Sequence, residues 1–213
     1  MRKKHKLLSL SLLTLFALLI VAAFMIPPNY KYEKQADIIA QKRMVFVFIG
    51  ELKRWAEWTK WAARDPDMKT EFSDPAWGEG ATYRWESFWL ADGQIKVTSF
   101  AKEGLMTYDL TPDSFEPSHW RIQLTDAPRQ GTRVTWTVEG DYPENRFWRL
   151  LAYIWNWRLE SDIEKSLARL KKHAELHEAY DVFGNWELPT PQPQAPTEPA
   201  PPPVKKKSKG KKT

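Results

Sequence analysis

The chain has no cysteine among its 213 residues. That excludes a disulfide framework, a thiolate metal site, a cysteine nucleophile and a lipoprotein attachment point, and it leaves the redox compartment open. A basic body is missing too. The net charge of +5 resides at the ends: Arg2, Lys3, Lys4 and Lys6 at the start, and Lys205, Lys206, Lys207, Lys209, Lys211 and Lys212 in the last nine residues. Without those ten, and without Glu187 and Glu198, the chain keeps 22 basic and 25 acidic side chains, a body near −3. Such a body lacks the basic face that a nucleic-acid partner requires, and none is expected. The arrangements of hydrolytic chemistry are absent as well: no Ser/His/Asp set can be named and no paired carboxylates converge.

Present instead are twelve tryptophans and a 42% hydrophobic fraction, enough for a sizeable core. Rings in that number imply either a heavy interior or the walls of an apolar cavity.

Leu7 to Ile26 is an uncharged run of about twenty residues, the length that spans a bilayer. Basic residues precede it and Pro27-Pro28 ends it. The reading is a retained single-pass anchor over residues 1–28. The competing reading is a cleaved signal peptide with Val21-Ala22-Ala23 at its cleavage site, but the apolar stretch exceeds the usual length for one. The positive-inside rule keeps the N-terminus cytoplasmic, which places the body on the periplasmic side of a cell inner membrane.

Asn29 to Ala40 then reads as a strand. Gln41 to Gly50 reads as a helix, since Val45, Phe48, Ile49 and Leu52 keep i, i+3, i+4, i+7 spacing. Trp55, Trp58 and Trp61 follow at intervals of three, and the proline of Arg64-Asp65-Pro66 closes the segment. From Met68 the period changes to two. Tyr83 and Trp85, Ile95 and Val97, Met106, Tyr108 and Leu110, Trp120, Ile122 and Leu124, and Val134, Trp136 and Val138 all alternate with polar residues. That is an antiparallel meander wet on one face. Its cover is a helix from about Pro143 to His177, on which Phe147, Leu151, Ile154, Trp155, Ile163, Leu167, Leu170 and Ala174 are read as one apolar stripe facing the sheet. The body thus spans residues 29–186. Residues 187–213 form a tail: eight of the sixteen prolines fall between Pro189 and Pro203, a semi-rigid spacer reaching about 45 Å at 3.1 Å per residue. Disorder is expected there. The lysines beyond it suit an anionic surface or an acidic partner.

His173 and His177 stand four apart and share a helix face, the spacing at which two imidazoles can hold a metal. With no cysteine, and with Glu175 and Glu178 directed elsewhere around the helix, they read as titrating residues on a charged helix end. No metal and no cofactor are expected. For catalysis the interior offers only Tyr83 and Tyr108, with His119 at a strand start; these are weak candidates, and structural hydroxyls are the plainer account.

Val45-Phe46-Val47-Phe48-Ile49 followed by Trp55, Trp58 and Trp61 resembles the signature of the SRPBCC superfamily, which includes polyketide cyclase/dehydrase-like and START-like proteins. Asp65-Pro66-Asp67-Met68-Lys69, Gly78-Glu79-Gly80-Ala81-Thr82-Tyr83-Arg84-Trp85 and Gly131-Thr132-Arg133-Val134-Thr135-Trp136-Thr137 are similar in the same way. The resemblance covers about residues 30–178 and leaves the anchor and tail unexplained. It implies an α+β helix-grip fold: a curved antiparallel sheet of six to seven strands around a long C-terminal helix, with two short helices after the first strand. It also implies an apolar cavity lined by Trp61, Tyr83, Trp85, Ile95, Val97, Tyr108, Trp120, Ile122, Trp136, Ile154 and Trp155. The expected function is a membrane-anchored START-like module that binds a hydrophobic small molecule or lipid without catalysis. Two alternatives stay open: a protein-interaction module with a filled core and a basic tail, and a polyketide cyclase/dehydratase-like enzyme.

Overall fold

The computed structural model describes residues 13–14, 17–18, 20–21, 23–65, 67–88, 91–101, 104–113 and 116–179, apart from the side chains of residues 155 and 179. The tail expected over 187–213 lies outside them, as does much of the apolar run 7–26. The described positions of that run from 13 to 25 are helical. Among the described residues no helix is long and apolar enough to cross a membrane.

Seven strands make one antiparallel sheet. They are β1 (Asn29–Ile38), β2 (Lys69–Phe72), β3 (Thr82–Glu86), β4 (Gly93–Ala101), β5 (Leu105–Pro112), β6 (Ser118–Ala127) and β7 (Gly131–Asp141). Their order across the sheet is β1-β7-β6-β5-β4-β3-β2, so β2 to β7 form the meander and β1 closes it by pairing with the last strand, Asn29 opposite Asp141 and Ile38 opposite Thr132. The two-residue period holds in register. Trp120 lies opposite Tyr108 and Val138, and Ile122 opposite Met106 and Trp136, which puts the large side chains on one face. All six are buried.

Between β1 and β2 the chain forms α1 (Lys42–Gly50), a 3₁₀ turn (Leu52–Arg54) and the single-turn α2 (Trp55–Trp58). Every residue of α1 from Met44 to Gly50 is buried, so this helix is a wall of the core rather than an amphipathic cover. Gly50 is required by space: a Cβ there would stand 2.6–2.7 Å from the rings of Phe100 and Trp77.

The last element, α3 (Arg146–Ala179), has 34 residues and is about 51 Å long. It begins after Asn145 rather than at Pro143. The Asn145 side-chain oxygen accepts the backbone N–H groups of Phe147 (3.0 Å) and Trp148 (3.4 Å), the bond an N-cap residue supplies to the first helical turn. A seven-stranded antiparallel sheet, two short helices after β1 and one long C-terminal helix make the helix-grip α+β fold.

The single stripe expected along α3 is not found. Ile163, Leu167, Leu170 and Ala174 are buried, but Phe147 is 63% exposed, Leu151 43%, Ile154 53% and Trp157 74%. The reason is helical phase. Nine residues separate Ile154 from Ile163, which is two and a half turns at 3.6 residues per turn, so the two sets lie on opposite sides of the helix.

Candidate functional site

The interior is built from the α1–α2 segment upward. Burying an indole requires a partner for its N–H, and the chain supplies one in each case that follows. Trp55 Nε1 donates to the Ile49 carbonyl at 2.8 Å and Trp58 Nε1 to the Phe48 carbonyl at 3.0 Å, which ties α2 back onto α1. Trp136 Nε1 donates to the Tyr108 hydroxyl at 3.0 Å and Trp120 Nε1 to Ser118 Oγ at 2.8 Å. With polar ends held, the rings close on one another. Trp55 meets Trp58 (5.3 Å), Trp61 (6.0 Å) and Tyr108 (5.2 Å); Trp58 meets Trp136 (5.4 Å). Trp120 stands 5.7 Å from Tyr108, 5.8 Å from Trp136 and 6.5 Å from Trp61. All these separations lie within the range of favourable ring pairs.

Of the residues expected to line a cavity, Tyr83, Trp85, Ile95, Val97, Tyr108, Trp120, Ile122 and Trp136 are buried in one cluster, with Trp61 packed on it half-buried. Ile154 is not among them: it faces away from the sheet for the reason of phase given above. The Trp155 side chain lies outside the described residues. Trp55 and Trp58 are the members that the lining set omitted, although their interval of three already placed them with Trp61.

The two phenols are held as neutral groups. Burial pushes the Tyr83 hydroxyl up to about 12. Burial also raises that of Tyr108, against the opposing hydrogen bond from Trp136. His119 is not an interior residue. It lies on the outer face of the sheet, its Nδ1 2.6 Å from Asp109 Oδ1, in a polar groove of about 230 Å³ lined also by Thr98, Thr107, Arg121 and Glu139.

A second constellation lies where α2 meets the C-terminal half of α3. Glu57 brings a carboxylate oxygen, and His173 and His177 a ring nitrogen each, all within 4.8 Å of one another. The Phe48 ring packs against both imidazoles, at 5.2 Å from His177 and 6.3 Å from His173. Burial, the largest effect, lowers the pKa of His173, so its neutral form prevails at pH 7. The carboxylate came from a different element, which sequence spacing along α3 had no means of reporting.

A third feature is the outer face of the first half of α3, where Phe147, Leu151, Ile154 and Trp157 are exposed. It adjoins the end of the apolar run. The Tyr142 N–H donates to the Pro28 carbonyl at 2.7 Å, and the Arg146 guanidinium lies over the Phe24 ring at 5.1 Å.

No family model and no curated protein matches the sequence. Solved structures do. Protein CV1439 from Chromobacterium violaceum aligns with a TM-score of 0.51 at 12% identity, over 68% of this chain and 98% of that one. The protein XoxI from Bacillus cereus aligns with a TM-score of 0.50 at 13% identity, over 67% and 94%. At such identities the likeness is one of fold, and the fold is the helix grip.

Proposed function

We propose that the chain is a membrane-anchored member of the SRPBCC superfamily, a START-like module that takes a hydrophobic small molecule or lipid in apolar space under its grip, without catalysis. The observation that carries this reading is the outer face of the first half of α3. An apolar face of Phe147, Leu151, Ile154 and Trp157 beside the end of an apolar N-terminal run suits the water–lipid interface, where tryptophan, tyrosine and arginine concentrate. Full burial of one such side chain is worth about 1.5–3 kcal/mol, of which an interface recovers part. The body would then rest on the bilayer from which a lipophilic ligand is drawn. In this reading residues 1–28 span the inner membrane, the body lies on its periplasmic side, and the lysine tail meets an anionic surface or acidic partner.

A second reading has an observation of its own. The mutual contacts of Trp55, Trp58, Trp61, Tyr108, Trp120 and Trp136 favour a filled interior, and with it a protein-interaction module. Native mass spectrometry of residues 29–186 purified without detergent separates the two. Co-purified lipid, or uptake of a hydrophobic probe, is expected; a homogeneous apo mass that takes up neither overturns the carrier reading. A reporter-enzyme fusion after residue 186 tests topology, and activity of a cytoplasm-dependent reporter alone would reverse the placement.

A further inference from the structure

We propose that Glu57, His173 and His177 form a binding site for one divalent cation of the zinc type, clasping α2 to the C-terminal end of α3. The geometry carries this in three steps. Residues four apart on a helix are neighbours on its surface, so His173 and His177 present two imidazoles side by side. The α2 turn then brings a carboxylate to them, with all three donor atoms within 4.8 Å of one another. Tetrahedral zinc with bonds near 2.0–2.1 Å needs donors about 3.3 Å apart. The required closure is therefore about 1.5 Å or less at any pair of donors, within the side-chain rotamer freedom of the three residues.

The donor set also selects the metal. Two neutral imidazoles and one carboxylate suit zinc, cobalt, nickel or copper, and not magnesium or calcium, which take oxygen donors. Two cations stand nearby: Arg54 Nη1 is 3.5 Å from Glu57 Oε1, and Arg169 Nη2 donates to the Glu57 carbonyl at 2.8 Å. Their charge opposes a dication and holds the affinity well below that of a four-ligand structural site. Three protein donors leave a fourth position for water or an exogenous ligand.

The site would join two parts of the grip already linked by hydrogen bonds. Lys60 N–H donates to Ser166 Oγ at 2.8 Å, and Arg64 pairs with Asp162 at 2.6 Å. With the Arg169 bond to the Glu57 carbonyl these make three links, and a metal at Glu57, His173 and His177 adds a fourth along the same seam. Anything bound to the folded state alone raises its stability by mass action.

The test uses the full-length chain, stripped with a chelator and titrated with zinc chloride by calorimetry. One zinc per chain is expected, together with a rise in Tm on the order of 5 °C at hundredfold excess over Kd. With cobalt substituted for zinc, visible d–d bands of a low-coordinate centre should appear. H173Q and H177Q should each abolish uptake, and E57Q should weaken it at least tenfold, while H119Q should leave it intact. Melts without metal serve as the folding control for each variant. No uptake by the parent chain overturns the site, as does uptake that survives the H173Q/H177Q pair. Wild-type affinity in E57Q would overturn the three-donor arrangement.

Discussion

The two halves of α3 share one helix and both carry apolar residues, the first half more of them and all of the aromatic ones, yet they do opposite things. The second half turns Ile163, Leu167, Leu170 and Ala174 into the core. It is tied on every side: Arg64 to Asp162, Lys60 to Ser166, Arg169 to the Glu57 carbonyl, and Glu175 to the Ile39 N–H. The first half meets the body along β1. Tyr142 packs between Tyr30 (4.8 Å) and Tyr153 (6.2 Å), and Lys34 reaches Glu160 at 2.8 Å. Its opposite face, Phe147, Leu151, Ile154 and Trp157, touches solvent. The difference teaches that hydrophobic content says how much surface a helix offers to an apolar phase, while the phase of the residues says which one.

The comparison is broken most directly by truncation. Leu167→Ala or Leu170→Ala removes a fully enclosed side chain, and the loss expected is about 2–5 kcal/mol. Leu151→Ala, the same chemical change on the outward face, should fall within about 0.5 kcal/mol of the parent, as surface substitutions do. Urea unfolding followed by far-UV circular dichroism measures both. Equal losses would mean that the first half is packed in solution, and the contrast would fail.

A smaller effect sharpens the same contrast from the side of the interior. The folded state holds Tyr83 neutral with its pKa pushed up to about 12, against roughly 10 in the unfolded chain. Between those values the native state keeps a proton that the unfolded state has lost, so stability is fully present below pH 10 and falls as the pH rises towards 12. At 1.36 kcal/mol per pH unit, the loss from Tyr83 approaches about 3 kcal/mol. Tyr108, also raised by burial, adds to it. Tyr83→Phe, which keeps the ring stacked on Phe72 at 4.9 Å, should flatten this alkaline decline while leaving stability at pH 7 within about 1 kcal/mol. A decline of unchanged slope would show that the phenol of Tyr83 is open to water.

These contrasts also mark what the sequence could carry. The alternation of Tyr83 and Trp85, Ile95 and Val97, or Trp120 and Ile122 needs only a period of two, and it located the strands and the buried face. Val45, Phe48, Ile49 and Leu52 needed only helical spacing, and α1 stands where they put it. The stripe on α3 failed because residues from Phe147 to Ala174 were joined without carrying the phase through the polar stretch Arg158 to Asp162. Glu57 was illegible as a partner of His173 and His177 for another reason. Its proximity is made by the return of α2 onto α3, a contact more than a hundred residues apart in the chain. Trp55 and Trp58 were visible as a spaced set, but whether rings line a space or fill it depends on how the indole N–H groups are met, and those partners are carbonyls of Ile49 and Phe48, which sequence does not point to.

The smallest change in fold stability should accompany the largest change in location. Trp157→Phe keeps an aromatic ring on the outward face, so unfolding should move by about 0.5 kcal/mol or less. On vesicles the outcome differs between the halves. Lipids brominated near the headgroup should quench part of the tryptophan emission of the parent chain, because the Trp157 ring would lie at the interface. They should quench the Trp157→Phe chain less, since Trp55, Trp58 and Trp136 are enclosed by protein. Trp157→Arg gives the complementary arm: on an interfacial face an arginine can remain at the headgroups, so attachment should weaken without unfolding. Quenching that is equal in the parent and the Trp157→Phe chain would place the outward face of α3 in water. In the anchored reading only the apolar run 7–26 would then hold the body at a membrane.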